Sequence, residues 1–483
     1  NDGATILKEI DVQHPAAKMM VEVAKATDSE VGDGTTSSVV LAGALLEKAE
    51  SLIDDEIHSV IIADGYKKAS RKAIEFLNEI AIKVEPKNKE ILKKIAHTSM
   101  QTKLVSLEAT DLAMLAVDAV LSVMEEKNGS FKVNLDNIKI EKKTGGSISD
   151  SELVSGIILD KEIVHSGMPR RIENAQIALI SEALEIKKTE FEAKLNISSP
   201  NQIKSFMEEE SQLLKDMVNK IKSTNANVVL CQKGIDDIIQ HYMSKEGILA
   251  VRRIKESDMS KLAKSTGGRI VGSVNDLNNT DLGSAQNVEE KRIEEDNWVF
   301  IEGCKNPKAI SILIRGGSKR VIDEADRSMH DALMVVKDVI ENPKIVYGGG
   351  SPEAYVALKL RDWAKSLSGR EQLAVEKFAD AMESIPIALA RNAGMNPIDS
   401  ITQLRSKQNN GERFTGVDVI NGVITNFEKL GVVEPLKVKE QIIKSATETA
   451  NMILRIDNVI AVSRSVPSEP PQGMPPGGGM EMY

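Results

Sequence analysis

Two aspartates and a few glycines carry most of the chemistry that can be read from this chain. Gly32-Asp33-Gly34-Thr35-Thr36 runs directly into the apolar segment Val39–Leu46. Glycines let a backbone turn tightly and approach a ligand closely. Threonines can cap the helix that follows, and the free N–H groups at a helix start attract anions. Asp33 would repel a phosphate unless a hard cation such as Mg²⁺ lay between them, which is how nucleoside triphosphates are held. The same residues also suit a turn with a Thr cap and no ligand. Asp331, in Ser328-Met329-His330-Asp331, lies beside an apolar stripe of Ile322, Ala325, Met329, Leu333, Val336 and Ile340. Locally it reads as a solvated carboxylate paired with Arg327. Gly348-Gly349-Gly350 fits either backbone contact with a ribose or phosphate, or a flexible linker, and Gly316-Gly317 has the same two readings.

The elements that must position these residues belong to a large chain. At 483 residues it exceeds a single core, so two to four domains are expected. Its composition is 41% hydrophobic and 28% charged, as in ordinary globular proteins. The net charge of −10 and the lack of a long basic run argue against nucleic acid as the main partner. No apolar run reaches membrane-spanning length, and no membrane partner is expected. The two cysteines, Cys231 and Cys304, are far apart and suit a cytoplasmic protein without disulfides. The six histidines have no metal-ligand spacing, and no GxxxxGK[ST] loop or nucleophile motif appears, which excludes an ordinary P-loop ATPase.

Periodicity predicts helices from Pro15 to Val84 and from Lys89 to Glu126. Strands are expected at Ile138–Ile140, Gly156–Leu159 and Gln176–Ile180. An alternation follows: strand Asn227–Leu230, helix Ile235–Lys245, strand Ile248–Val251, helix Ser257–Lys264, then strands Arg269–Val271 and Trp298–Ile301. Strands alternating with short glycine-closed helices make an α/β unit. From Lys319 the pattern is helical again, with helices near Pro352–Leu367, Gln372–Arg391 and Val438–Ile453. An α/β domain inserted into a helical one is the fold these segments predict. Ser199-Pro200-Asn201-Gln202 is a capping box opening a helix with Ile203, Phe206, Met207, Leu214, Met217 and Ile221 on one side. That helix either packs on its own domain or forms a protruding arm, with adaptable Met residues for partners. Residues 467–483 form a Pro/Gly/Met tail expected to be disordered. Asn1-Asp2-Gly3-Ala4-Thr5 is turn chemistry without an initiator Met, so a leading segment is expected before it.

The ordered set Asn1–Thr5, Gly32–Thr36, Ser328–Leu333, Gly348–Gly350, Gly369-Arg370-Glu371-Gln372-Leu373-Ala374, Val433-Glu434-Pro435-Leu436 and Arg455–Ile460 closely resembles group II chaperonins. The Gly/Met-rich tail makes the archaeal thermosome subunits the nearest resemblance, and it spans nearly the whole chain. It implies a helical equatorial ATPase domain (1–87 and 347–466), an intermediate domain (88–152 and 306–346) and an α/β apical domain (153–305). The apical domain would carry a helical protrusion at about 188–222, a built-in lid presenting Ile203, Phe206, Met207, Leu214 and Met217.

The resemblance also implies ATP and Mg²⁺, with Asp33 on the metal, Gly34, Thr35 and Thr36 on the phosphates, and Asp2 and Asp331 orienting the attacking water. Lys103 would sense the γ-phosphate, although Thr102 and Leu104 flank it where the family often has a glycine. Gly349 and Glu434 would meet the nucleoside. The implied function is ATP-driven folding of non-native proteins in a double ring built with other copies or paralogous subunits. The family's first strand and a phosphate-touching Gly-Pro loop are absent from Asn1 onward, which raises an alternative: a nucleotide-binding assembly subunit that does not fold clients. A metal-dependent phosphohydrolase of small molecules is a further rival.

Overall fold

The computed structural model describes residues 3–101, 109–186, 200–304 and 309–456. Helices α1 (Gly3–Glu9), α2 (Pro15–Val31), α3 (Thr35–Asp54) and α4 (Ser59–Ile80) come first. The His14 ring caps α2 by accepting from the Ala16 N–H, Pro15 takes the first helical position, and Gly32 closes the helix in the left-handed region. Leu41, Leu45 and Leu52 of α3 and Ile62, Tyr66 and Leu77 of α4 fill one core at helical spacing.

Beyond β1 (Ile82–Lys83) lie α5 (Lys89–Gln101) and α6 (Ala109–Val123). The helical pattern expected to run to Glu126 stops at Val123. Asn128 and Gly129 both take positive φ and turn β2 (Met124–Lys127) back on β3 (Ser130–Val133) as a hairpin.

Strands β4 (Ile138–Thr144) and β5 (Glu152–Val154) lead into the inserted α/β unit. There follow β6 (Gly156–Leu159), β7 (Arg171–Ile180), α7 (Pro200–Ser223), β8 (Val228–Cys231), α8 (Asp237–Lys245), β9 (Leu249–Val251), α9 (Glu256–Thr266), β10 (Ile270–Val271), β11 (Gly283–Ile293) and β12 (Asp296–Cys304). They form one seven-stranded sheet, ordered β6-β12-β11-β7-β8-β9 with β10 also on β7. β8 pairs parallel with β7 and β9, and β8, β9 and the end of β7 from Ile177 to Ile180 are apolar and buried, as parallel strands covered by helices must be. This unit has its own core, separate from the helical one. Cys231 and Cys304 are both free and buried, and burial pushes each thiol up to about 11.

The helix opened by the capping box divides its roles. Leu214, Val218 and Ile221 enter the α/β core and Met217 packs half-buried against it, because the apolar stripe meets the sheet there. Leu214 is thus buried in its own unit, and Met217 is half-buried against it. Met207 and Leu213 are exposed, at 65% and 56%. The side chains of Ile203 and Phe206 lie outside what is described.

The chain returns through β13 (Ile310–Gly316), which lies between β4 and β5. Lys139 of β4, almost fully buried, ties this small sheet to the α/β unit. It donates to the Ile158 carbonyl at 2.7 Å and pairs with Glu141 and Asp258 at 2.8 and 3.0 Å. Helix α10 (Lys319–Glu341) and β14 (Lys344–Tyr347) re-enter the helical body. Completing it are α11 (Ser351–Ala364), α12 (Arg370–Met382), α13 (Ser384–Asn392), α14 (Pro397–Asn409), β15 (Thr415–Asp418), β16 (Val423–Asn426), α15 (Phe427–Leu430), β17 (Val433–Pro435) and α16 (Leu436–Leu454). The helix expected over Gln372–Arg391 breaks at Glu383, three residues before Pro386. Among the described residues, no helix is long and apolar enough to cross a membrane.

Glu383 occupies that break and is 2% exposed. Its Oε1 accepts from Arg361 at 2.8 Å and from Arg405 Nε at 2.7 Å; its Oε2 accepts from both guanidinium groups as well. Asp380 also accepts from Arg361, at 2.8 Å. Burial alone would raise the Glu383 carboxyl, but the two arginines outweigh it and hold the group below its ordinary value. Glu383→Gln should cost about 2–4 kcal/mol, since it strands two partly buried guanidiniums. Because the folded-state pKa is depressed, the network's contribution is present above about pH 4.5 and lost as pH falls below it. Thermal melts of wild type and Glu383→Gln from pH 7 to pH 3 check this: the gap between the two should close on acidification.

Candidate functional site

Gly34, and not a threonine, is the N-cap of α3. It sits at φ 79°, Thr35 and Thr36 are already inside the helix, and the cap residue itself has no side chain to offer. The N–H groups of such a first turn attract an anion. The Asp33 carboxylate folds back to accept from the Gly34 N–H at 2.7 Å. Glycine is required at residue 34: a Cβ there would lie 2.7 Å from Ile442 Cδ1 and 3.1 Å from Val438 Cγ1 of α16.

Two other segments close on the same turn. A Cβ built on Gly32 would meet Met334 Cβ at 2.6 Å and the Asp331 Cα at 3.6 Å, so α10 lies directly on it. Asp331 is 8% exposed and is not the solvated residue its local pattern suggests; Arg327 bonds Glu324 instead. Gly3 abuts Thr36, and a Cβ on Gly3 would fall only 2.7 Å from Thr36 Oγ1. Asp2 and Lys103 lie outside the described residues.

The triple glycine makes the opposite wall. Strand β14 pairs with β17, Val346 facing Glu434, which brings Gly348 alongside Glu434. Gly349 has φ +69°, and a Cβ there would fall 2.1 Å from Phe427 Cζ. Gly350, also left-handed, starts α11 without a side-chain cap. Two helix starts with a glycine N-cap, those of α3 and α11, thus flank α16.

Lys439 of α16 joins the walls. It is 6% exposed and pairs with Glu353 of α11 at 2.9 Å and with Glu434 at 2.7 Å. Burial by itself would lower the Lys439 ammonium, but Glu353 and Glu434 hold it above its ordinary value. The Glu434 carboxyl is raised, first by burial and further by Glu353 and by Asp33, against the pull of Lys439. Asp33 and Glu434 therefore share one electrostatic environment. With Glu353 and Asp331 added, the cradle is acidic, which disfavours a bare phosphate and favours one accompanied by a cation. Among the described residues no cluster of three or more His, Cys, Asp or Glu could hold a metal unaided. A single carboxylate sharing Mg²⁺ with phosphate oxygens needs no such cluster, so Asp33 fits that role.

Asp33, Gly34, Thr35, Thr36 and Asp331 are brought together at one side, Gly349 and Glu434 at the other. Lys439 and Glu353 were missed in the sequence. The available signal was a lysine between Val438 and Ile442 on an apolar helix face, where an unpaired charge is rare.

A helical body with an inserted α/β unit that keeps its own core defines a protein of chaperonin architecture. Residues 1–464 match the TCP-1/cpn60 chaperonin family, and the chain belongs to that family. It is 55% identical to the thermosome subunit beta of Archaeoglobus fulgidus over 461 residues, 95% of this chain and 85% of that one. The thermosome subunit alpha of the same organism is 53% identical over 473 residues, covering 98% and 87%. The open-state monomer of a group II chaperonin from Methanococcoides burtonii superposes with a TM-score of 0.67 at 43% identity, covering 88% of this chain and all of that one (100%).

Gly349→Ala should lose about 2–4 kcal/mol, combining left-handed strain with overpacking against Phe427. Gly267→Ala is the control: it has φ +75° but open space around it. It should lose only about 1–2 kcal/mol. Thermal melts of the two variants beside wild type measure the difference.

Proposed function

We propose that this chain is an ATP-driven protein-folding chaperone, one subunit of a double ring that encloses non-native proteins under a built-in lid. The observation that carries the proposal is the seat of Asp331 on the Gly32–Thr36 turn. Asp331 belongs to α10, and α10 follows directly on β13, the strand that leaves the α/β unit. A movement of that unit is thereby connected to the site by a single rigid helix.

In this reading the first-turn N–H groups of α3, with Gly34, Thr35 and Thr36, hold the phosphates. Asp33 holds Mg²⁺, which supplies charge neutralisation on the phosphate oxygens. Asp331, together with Asp2, orients the attacking water, the positioning work that dominates phosphoryl transfer. Lys103 senses the terminal phosphate. Gly349 allows close backbone approach to the nucleoside, and Glu434, held by Lys439, contacts it. The equatorial domain is 1–87 with 347–466, the intermediate domain 88–152 with 306–346, and the apical domain 153–305. Met207 and the first half of α7 belong to the lid, while the half from Leu214 onward anchors it. The partners are non-native proteins and further copies or paralogues of this subunit, and the protein works in the cytoplasm.

Asp331→Ala should lower ATP turnover by about 100-fold or more while nucleotide affinity stays within about threefold of wild type. Single-turnover hydrolysis and nucleotide titration check this, and normal turnover in the variant would remove Asp331 from the mechanism. Slow turnover that responds to unfolded protein separates a chaperone from a small-molecule phosphohydrolase. Replacing residues 191–209 with a short Gly/Ser linker spares Leu214, Val218 and Ile221. It should leave ATPase intact while bound clients lose protease protection.

A further inference from the structure

Two lysines stand two residues apart at the start of α16, and only Lys439 belongs to the cradle described above. Lys437 Nζ donates to Asp338 Oδ1 at 2.8 Å and lies 3.9 Å from Glu30 Oε1. Asp338 is fully buried, at 0% exposure, and its Oδ2 has no hydrogen-bond partner among the described residues. A dry carboxylate with one satisfied oxygen is a poor way to stabilise a fold, and an apolar residue would often serve better. Its neighbours suggest another use.

Asp338 lies seven residues beyond Asp331 on α10, about two turns, and so on nearly the same side of the helix. Between them, Met334 is the residue packed on Gly32. Glu30, the second partner of Lys437, is in the last turn of α2, just before Gly32. One ammonium therefore reaches both α10, whose middle carries Asp331, and α2, whose end leads to Asp33, and it springs from the helix that underlies Gly34.

We propose that Asp338 is a positioning residue: its pairing with Lys437 clamps α10 against α2 and α16, and so sets the place of Asp331 over the Gly32–Thr36 turn. This rests on the reading of Asp331 as the group that orients the attacking water. The clamp is also sensitive to protons. Burial pushes the Asp338 carboxyl up to about 6; Lys437 and Lys337 oppose the rise and Glu341 adds to it. Those three groups and, through Lys437, Glu30 are the charges that face it. As pH falls from 7 to 5 the carboxylate takes up a proton and its hold on Lys437 weakens, so turnover should fall over that range.

The test uses the full-length assembled protein and two variants, Asp338→Asn, which keeps size and an acceptor, and Lys437→Met. Amide exchange at residues 28–36, without nucleotide, reads the clamp directly. Both variants should exchange faster there at pH 7.5, more than over the rest of the helical body; Asp338→Asn should keep its thermal midpoint, and Lys437→Met, which strands a buried carboxylate, should lower it. Mg-ATP turnover in Asp338→Asn should fall about tenfold and lose its decline between pH 7 and 5, with ATP affinity unchanged. Unchanged exchange at 28–36 overturns the proposal. So does wild-type turnover and pH profile in Asp338→Asn when Asp331→Ala abolishes hydrolysis, and there the site reading survives. Normal turnover in Asp331→Ala sinks both.

Discussion

The helical body depends on closing a very long excursion of its own chain. The polypeptide leaves at β1 and returns at β14, and these strands pair antiparallel, Ile82 with Ile345. Bringing together ends separated by about 260 residues costs on the order of 5 kcal/mol in an unstructured chain, because the penalty grows only with the logarithm of length. The inserted unit repays much of that by folding on its own core. On its other side β14 pairs with β17, Val346 with Glu434, so one strand carries both the closure of the excursion and the wall beside the triple glycine.

The helix start at α16 converts this closure into a site. Its two lysines reach four carboxylates on four elements: Glu30 of α2, Asp338 of α10, Glu353 of α11 and Glu434 of β17. Buried ion pairs add little net stability when desolvation is counted. They do fix geometry, because a buried charge that loses its partner is expensive. The Arg361–Glu383–Arg405 network plays the same part beneath α11, next to Pro386, which packs on Gly350. The glycines supply the complementary constraint: at Gly34 and Gly349 the backbone comes so close to Ile442 and Phe427 that no side chain fits.

Much of the architecture was legible because it is written in local periodicity. The stripe on α10, the apolar runs of β7 and β8, and the glycine stops of α2 and α9 each report burial or chain reversal near their own position. The errors have local causes too. Asn128-Gly129 turned an expected helix end into a hairpin, and the strand β11, with its alternating and polar residues, gave no clean signal. Asp331 looked solvated because the face beside its stripe is covered by α2, a segment distant in sequence.

From the sequence alone came the nesting of an α/β unit in a helical body, the turn at Gly32–Thr36, and, through the order of its motifs, the resemblance to chaperonins. These follow from patterns that a few neighbouring residues determine. The tertiary structure decided which charges are buried and with whom. Lys439 between Glu353 and Glu434, and Lys437 between Asp338 and Glu30, are pairs whose members lie far apart along the chain. Whether a lysine is a solvated surface group or the pin of a buried site depends on the solvent it loses, and only the packing of distant segments removes that solvent.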